Sequence, residues 1–297
     1  MNGARFLPGL VAVAFLVGCG SSSSGEGFGD GGANGGNGGG ASDATAGGQA
    51  QDAPPVLNVG DSSPTGSGGS DAAGCGHIIQ ATIRDFKPSN EGGHPDFEND
   101  AFTNNVATTG LVKEVLGTDG TPDFNSLGSP TQELTGPTEF AQWYHDTTGV
   151  NIPIPVTLTL TESPPGSSTY VYQNDAFFPI DGQGFGNGPP LLDGSVAHNF
   201  SFTTEVHLEF AYNGGEVFSF RGDDDLWVFI NKHLAIDLGG LHPELDGSAN
   251  LDAMAATLAI TKGQTYALDI FHAERHTDAS HFNLTTTIQC LTPAPPR

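Results

Sequence analysis

The chain has 297 residues, which length alone divides into one or two domains, and it carries 9 basic against 34 acidic side chains for a formal net charge of −25. Such a balance excludes nucleic acid and anionic membrane surfaces as partners, because both require basic patches. It accords with divalent cations and neutral polymers as ligands, the alternative account being the plain solubility of an acidic secreted protein.

Residues 1–18 read as a signal peptide. Arg5 supplies a positive start, and Phe6 to Val17 is apolar but too short to span a bilayer. The segment ends in Leu16-Val17-Gly18-Cys19, which resembles a bacterial lipobox. In such signals the cysteine becomes the mature N-terminus and carries lipid, so Cys19 is the expected lipidation site; an ordinary signal peptide with a chance cysteine is the alternative. Several acyl chains anchor firmly, since each buried methylene contributes about 0.8 kcal/mol. Gly20 rather than Asp follows the cysteine, and by resemblance to enterobacterial sorting signals this points to the outer membrane or cell surface. The lipid is the sole expected membrane contact. Residues 19–74 are mostly Gly, Ser, Ala, Asn and Asp with one aromatic, Phe28. Too little apolar surface is present to offset ordering entropy, so a disordered Gly/Ser-rich tether averaging roughly 40 Å end to end is expected.

From residue 75 to 297 the composition changes to short apolar runs broken by turn residues. Alternation predicts strands over 77–86, 156–161, 170–172, 199–212, 216–220, 225–231, 234–238, 256–261, 265–271 and 282–290, with a helix beginning in 137–144 whose inner face is Phe140, Trp143 and Tyr144. Many short strands and few short helices read as an all-β domain, a β-sandwich or barrel. Cys75 opens this region and Cys290 nearly closes it. In an oxidising compartment the two can pair and join the domain's ends; two free thiols are the alternative.

The most informative stretch is 221–242. Asp223, Asp224 and Asp225 stand in a row before an apolar strand in which Leu226, Val228 and Ile230 face one way and Trp227 and Phe229 the other. Both faces are therefore covered. A second strand ends on Asp237, Gly239, Gly240 and His242. Adjacent carboxylates repel, so they are packed together only where a cation or strong donors neutralise them.

In order along the chain stand Arg84-Asp85-Phe86, His94-Pro95-Asp96-Phe97-Glu98, Phe140-Ala141-Gln142-Trp143-Tyr144, Phe177-Phe178-Pro179-Ile180-Asp181-Gly182, His198 to Thr203, Gly222 to Asn231, Asp237 to His242, and Phe271 to His276. Together these blocks resemble the fibro-slime domain, a module of bacterial and slime-mould secreted proteins, over nearly all of 77–290. The Gly-Asp-Asp-Asp strand and its hairpin also look like the sugar-associated β-sandwich of the anthrax protective antigen, which fungal flocculins and adhesins share. In those adhesins adjacent aspartates joined by a cis peptide hold a calcium ion that touches the glycan. The resemblance therefore implies a protective-antigen-like head with Ca2+ at a pair within Asp223, Asp224 and Asp225, the pair being Asp223 and Asp224, and with the rest of its shell from the 274–281 loop, which offers Glu274, Asp278 and Ser280. Asp237 is a further oxygen donor for calcium, its alternative being a turn residue before Gly239-Gly240; the alternative for Asp225 is a strand-initiating carboxylate hydrogen-bonded to backbone. Glycan contacts are implied at Asp223, Asp224, Asn231, Glu274 and Arg275. Where family members more often have Asn-Gly in the hairpin turn, this chain has Asn231-Lys232-His233.

Other constellations carry two readings. His272 and His276 have a spacing that suits zinc on a helix but follow a strand, and read as loop histidines. Arg275 beside Glu274 reads as a buried ion pair. Trp143-Tyr144 and Phe177-Phe178 either stack sugar rings or fill the core. Arg221-Gly222-Asp223 spells an integrin tripeptide by coincidence. No nucleophile elbow, phosphate loop or dinucleotide fingerprint is present. The expected function is thus a non-catalytic surface lipoprotein whose head binds a glycan or extracellular matrix polymer with calcium. A structural matrix or coat module is the first alternative, and a polysaccharide hydrolase the second.

Overall fold

The computed structural model describes residues 76–99, 101–102, 106–125, 134–188, 196–277 and 279–295. The signal peptide, Cys19, the tether, Cys75 and Asp278 lie outside the described residues. Cys290 is disulfide-bonded. Beside it the Gly76 amide donates to the Leu291 carbonyl at 3.4 Å, so the two ends of the domain meet there.

The domain is a β-sandwich of two antiparallel sheets. Its strands are β1 (Ile78–Phe86), β2 (Asn151–Thr159), β3 (Thr161–Glu162), β4 (Tyr170–Tyr172), β5 (Phe202–Tyr212), β6 (Val217–Gly222), β7 (Asp225–Ile230), β8 (His233–Leu238), β9 (Leu245–Asn250), β10 (Gln264–Glu274), β11 (Phe282–Thr286) and β12 (Thr292–Pro293). The larger sheet runs β2-β1-β5-β10-β7-β8, with β12 added on β5; the smaller runs β3-β4-β11-β6-β9. Among the described residues, helices are confined to α1 (Pro137–Ala141), α2 (Leu251–Met254) and a 3-10 turn at Ser89–Glu91. Among the described residues no helix is long and apolar enough to cross a membrane.

Alternation divides β7 between two cores. Leu226, Val228 and Ile230 enter the core between the sheets, with Phe202, Val206, Phe220, Ile270 and Phe282. Trp227 and Phe229 enter a second core on the outer face of the larger sheet, which α1 and the 86–144 connections cover with Phe97, Phe140, Trp143 and Tyr144. The Trp143-Tyr144 pair and Phe177 are fully buried, so they fill the core and are not available to sugar rings.

Three departures from the sequence reading have local causes. Residues 256–261 are not a strand: Leu258 N–H donates to Met254 O, continuing the turn of α2, and Ile260 N–H donates to Ala255 O across the left-handed Ala259, which closes off that helical turn. β9 reads Leu-Asp-Gly-Ser-Ala-Asn and shows no apolar alternation, yet it pairs with β6 along its whole length. Its Gly247 lies so close to Ile236 that an added Cβ would stand 2.5 Å from Cγ2. β2 begins at Asn151, earlier than expected, and carries Pro153 and Pro155, which are tolerated because β2 is an edge strand.

Candidate functional site

The turn between β6 and β7 places the three aspartates at the end of the sandwich. Gly222 leads into it; a Cβ there would stand 2.4 Å from the His281 carbonyl, so the approach of 281 to this turn requires glycine. Asp224 takes a left-handed conformation with φ 52. The Asp223–Asp224 peptide is trans, correcting the cis bond that the adhesin resemblance implied; the cis bond among the described residues is Ser163–Pro164. The left-handed Asp224 makes the sharp turn instead.

Between them the three carboxylates hold the chain at 240, 275–276 and 281. Asp223 Oδ1 accepts from the His281 amide at 2.6 Å and Oδ2 from His281 Nδ1 at 2.9 Å. Asp224 Oδ2 accepts from the Arg275 and His276 amides at 2.8 and 3.1 Å. Asp225 Oδ1 accepts from the Gly240 amide at 2.6 Å, and its Oδ2 from Arg275 Nε at 2.6 Å. Arg275 is fully buried, and its guanidinium lies 4.9 Å above the Trp143 ring. The partner of Arg275 is therefore Asp225, not the adjacent Glu274, which correct strand alternation places on the other face of β10.

Asp223 and Asp224 line a hollow of about 360 Å³ together with Phe102, Leu241, His242, Glu244, His276 and His281. Behind them sits Glu274, fully buried. Neither of its oxygens has a hydrogen-bond partner among the described residues. Ser280 and Asp224 are its polar neighbours, but Ser280 Oγ is turned to the Phe177 carbonyl. Burial pushes the Asp224 carboxyl up to about 8, with Asp225 and Asp223 adding to the effect against the pull of Arg275. Burial, then the charges of Asp224 and Asp223, holds Glu274 well above the usual carboxylate range. Without a cation this pair retains a proton near neutrality.

The other expected site residues lie elsewhere. Asp237 on β8 accepts from Trp227 Nε1 at 3.0 Å and the Gly110 amide at 2.8 Å, which ties the 106–125 connection to the sheet. Asn231 ends β7, a full strand length of roughly 20 Å from Asp225, and its side chain donates to the Leu258 and Ala259 carbonyls. It follows β7 as a turn residue with φ 49. His272 lies within β10, not on a loop, among Phe177, Phe202, Phe220 and Phe282, where burial lowers it to about 3; His276 lines the hollow, so the two do not form a zinc pair. Arg221 is held by Glu244 and Asp246, and Asp223 is buried, so the integrin tripeptide is not displayed. Glu244 also lines the hollow and carries no local signal in the sequence, whereas His281 stands out there only as part of the His-rich 272–281 stretch; each reaches the hollow from a separate loop.

Protein psiD of Dictyostelium discoideum is 42% identical over 218 residues, covering 71% of this chain and 41% of that protein. Protein psiQ of the same organism is 45% identical over 191 residues, covering 62% of this chain and 19% of psiQ. The chain thus spans well under half the length of these relatives. Among solved structures, the epithelial adhesin 9 A domain from Candida glabrata, in complex with Galb1-4GlcNAc, aligns at 9% identity and TM-score 0.28 over 71% of this chain and 84% of that one. A beta-glucosidase from Kluyveromyces marxianus aligns at 10% identity and TM-score 0.29 over 66% of this chain and 21% of that one. Structural likeness this remote carries no argument about ligands. Residues 191–294, which hold β5 through β12 and the aspartate turn, match the PA14 domain.

Proposed function

We propose that the chain is a non-catalytic cell-surface module whose head, of fibro-slime type, binds a glycan or matrix polymer through calcium held at Asp223, Asp224 and Glu274. The observation that carries this reading is the buried Glu274 carboxyl without a hydrogen-bond partner, packed behind two aspartates that line an open hollow. Calcium takes six to eight oxygen ligands, and such a set of carboxylates fits it. Asp224 commits one oxygen to main-chain donors and leaves the other, while Glu274 leaves both. Asp223 is bonded to His281 but lines the hollow and keeps further lone pairs on its oxygens; Asp225 and Asp237 do not line it and are committed to Arg275, Trp227 and main-chain amides, so they support the site and do not ligate. Calcium bound there would neutralise the pair that otherwise retains a proton, and would offer open coordination positions to sugar hydroxyls in the hollow. The PA14 match over this turn supports the sugar-binding reading. In this proposal Cys19 carries the lipid anchor and Cys75 pairs with Cys290.

The test is a thermal melt of the full chain with calcium and with chelator, followed by a glycan array under both conditions. Ligand that binds only the native state raises the midpoint. A calcium-induced rise that Asp224→Asn abolishes, with array binding lost in chelator, is the expected result. A midpoint indifferent to calcium removes the metal, and new reducing ends on a polysaccharide would replace the binder with a hydrolase.

A further inference from the structure

A second hollow of about 590 Å³ opens across the outer face of the smaller sheet and shares Glu244 and His281 with the first. One oxygen each of Asp175 and Glu244 and one ring nitrogen of His281 lie within 4.8 Å of one another there. These residues come from the segment after β4, the loop before β9 and the loop before β11. The histidine sets the triad apart from a merely acidic patch.

Each member is oriented from behind. His281 Nδ1 is bonded to Asp223 Oδ2 at 2.9 Å, which leaves Nε2 as the nitrogen able to coordinate. Asn283 Nδ2 donates to Asp175 Oδ1 at 2.7 Å. Arg221 donates to both oxygens of Glu244, at 2.7 and 2.8 Å, and also to Asp246 at 2.9 Å, so its charge is divided between two acids. A carboxylate on the far nitrogen of a histidine is the usual outer-shell arrangement of imidazole metal ligands, fixing tautomer and ring orientation. Nitrogen plus carboxylate donors, open to water on one side, suit a first-row transition ion better than calcium, which prefers oxygen alone. Bonds of about 2.0–2.1 Å bring tetrahedral ligands to about 3.3 Å from one another, so metal binding draws in the half-buried Glu244 and His281 side chains as well as the exposed Asp175.

We propose that Asp175, Glu244 and His281 form a separate site for a zinc-type divalent ion, with water completing its coordination. This site does not depend on the calcium reading, although Asp223 serves both hollows.

The test is zinc competition between the tag-free full chain and a chromophoric chelator, with millimolar calcium present throughout. One zinc per chain is expected, and cobalt should give visible absorption of nitrogen- and oxygen-bound metal. His281→Gln and Asp175→Asn should each weaken zinc by roughly tenfold or more, while His276→Gln, which lines the other hollow, should leave it unchanged. If His281→Gln melts early, the exposed Asp175→Asn decides. Zinc affinity unchanged in Asp175→Asn, or lost in His276→Gln instead, overturns the site. A calcium-dependent midpoint that persists in Asp175→Asn separates the fate of this site from that of the calcium reading.

Discussion

His207 should make the fold lose stability as pH rises from 6.5 to about 9. It stands on β5 directly opposite Asp269 on β10. Its Nδ1 is bonded to Asp269 Oδ1 at 2.7 Å and its Nε2 to Glu205 Oε1 at 2.6 Å; Glu205 in turn pairs with Arg84. Burial alone would lower the imidazole, but the bonds and charges of Asp269 and Glu205 outweigh it and raise His207 to about 9. The folded state therefore holds a proton that the unfolded chain releases near 6.5. Its contribution is fully present below 6.5 and is lost as pH climbs through 9. At about 1.36 kcal/mol per pKa unit the stabilisation comes to at most about 3 kcal/mol. For a domain of this size that corresponds to roughly 6–12 °C in midpoint. The assay is chemical denaturation of wild type and His207→Gln from pH 6 to 10 in chelator. Asp224 titrates in both proteins and cancels in the difference. The gap between the two proteins should thus shrink by about 3 kcal/mol between pH 6.5 and 9.5. A gap that stays constant over that range would refute a doubly clamped imidazolium.

Three further outcomes can be measured on the same footing. Asp224→Asn should be at least as stable as wild type at pH 8 in chelator, because the raised Asp224 pKa means that wild-type stability declines as pH rises from the ordinary carboxylate range towards 8; it should gain nothing from calcium, whereas wild type gains about 2.7 kcal/mol at a hundredfold excess over Kd. Asp225→Ala strands the buried Arg275 guanidinium and should cost about 3–5 kcal/mol by denaturant unfolding. Gly247→Ala drives a methyl against Ile236 and should cost about 1–3 kcal/mol, read as a lowered calorimetric midpoint with β6–β9 pairing retained.

The sequence by itself determined the class of fold and the address of the aspartate turn. Period-two alternation in β7 announced two covered faces, and both cores are found there, because a strand's side chains must alternate wherever the chain is paired. Three adjacent carboxylates likewise announced a need for compensation. Which donors supply it was decided only by the tertiary structure. Arg275 lies 50 positions from Asp225 and His281 lies 58 from Asp223, and no local pattern encodes such contacts. Asn231 was marked as a site residue by the resemblance of its hairpin to the adhesins, and the extended strand β7 separates it from the aspartate turn. β9, with no apolar stripe, exists because β6 offers it a hydrogen-bonding edge. Asp175 and Glu244, 69 positions apart by number, meet only after both sheets have packed, since the energy that joins them comes from the folded core and not from either segment.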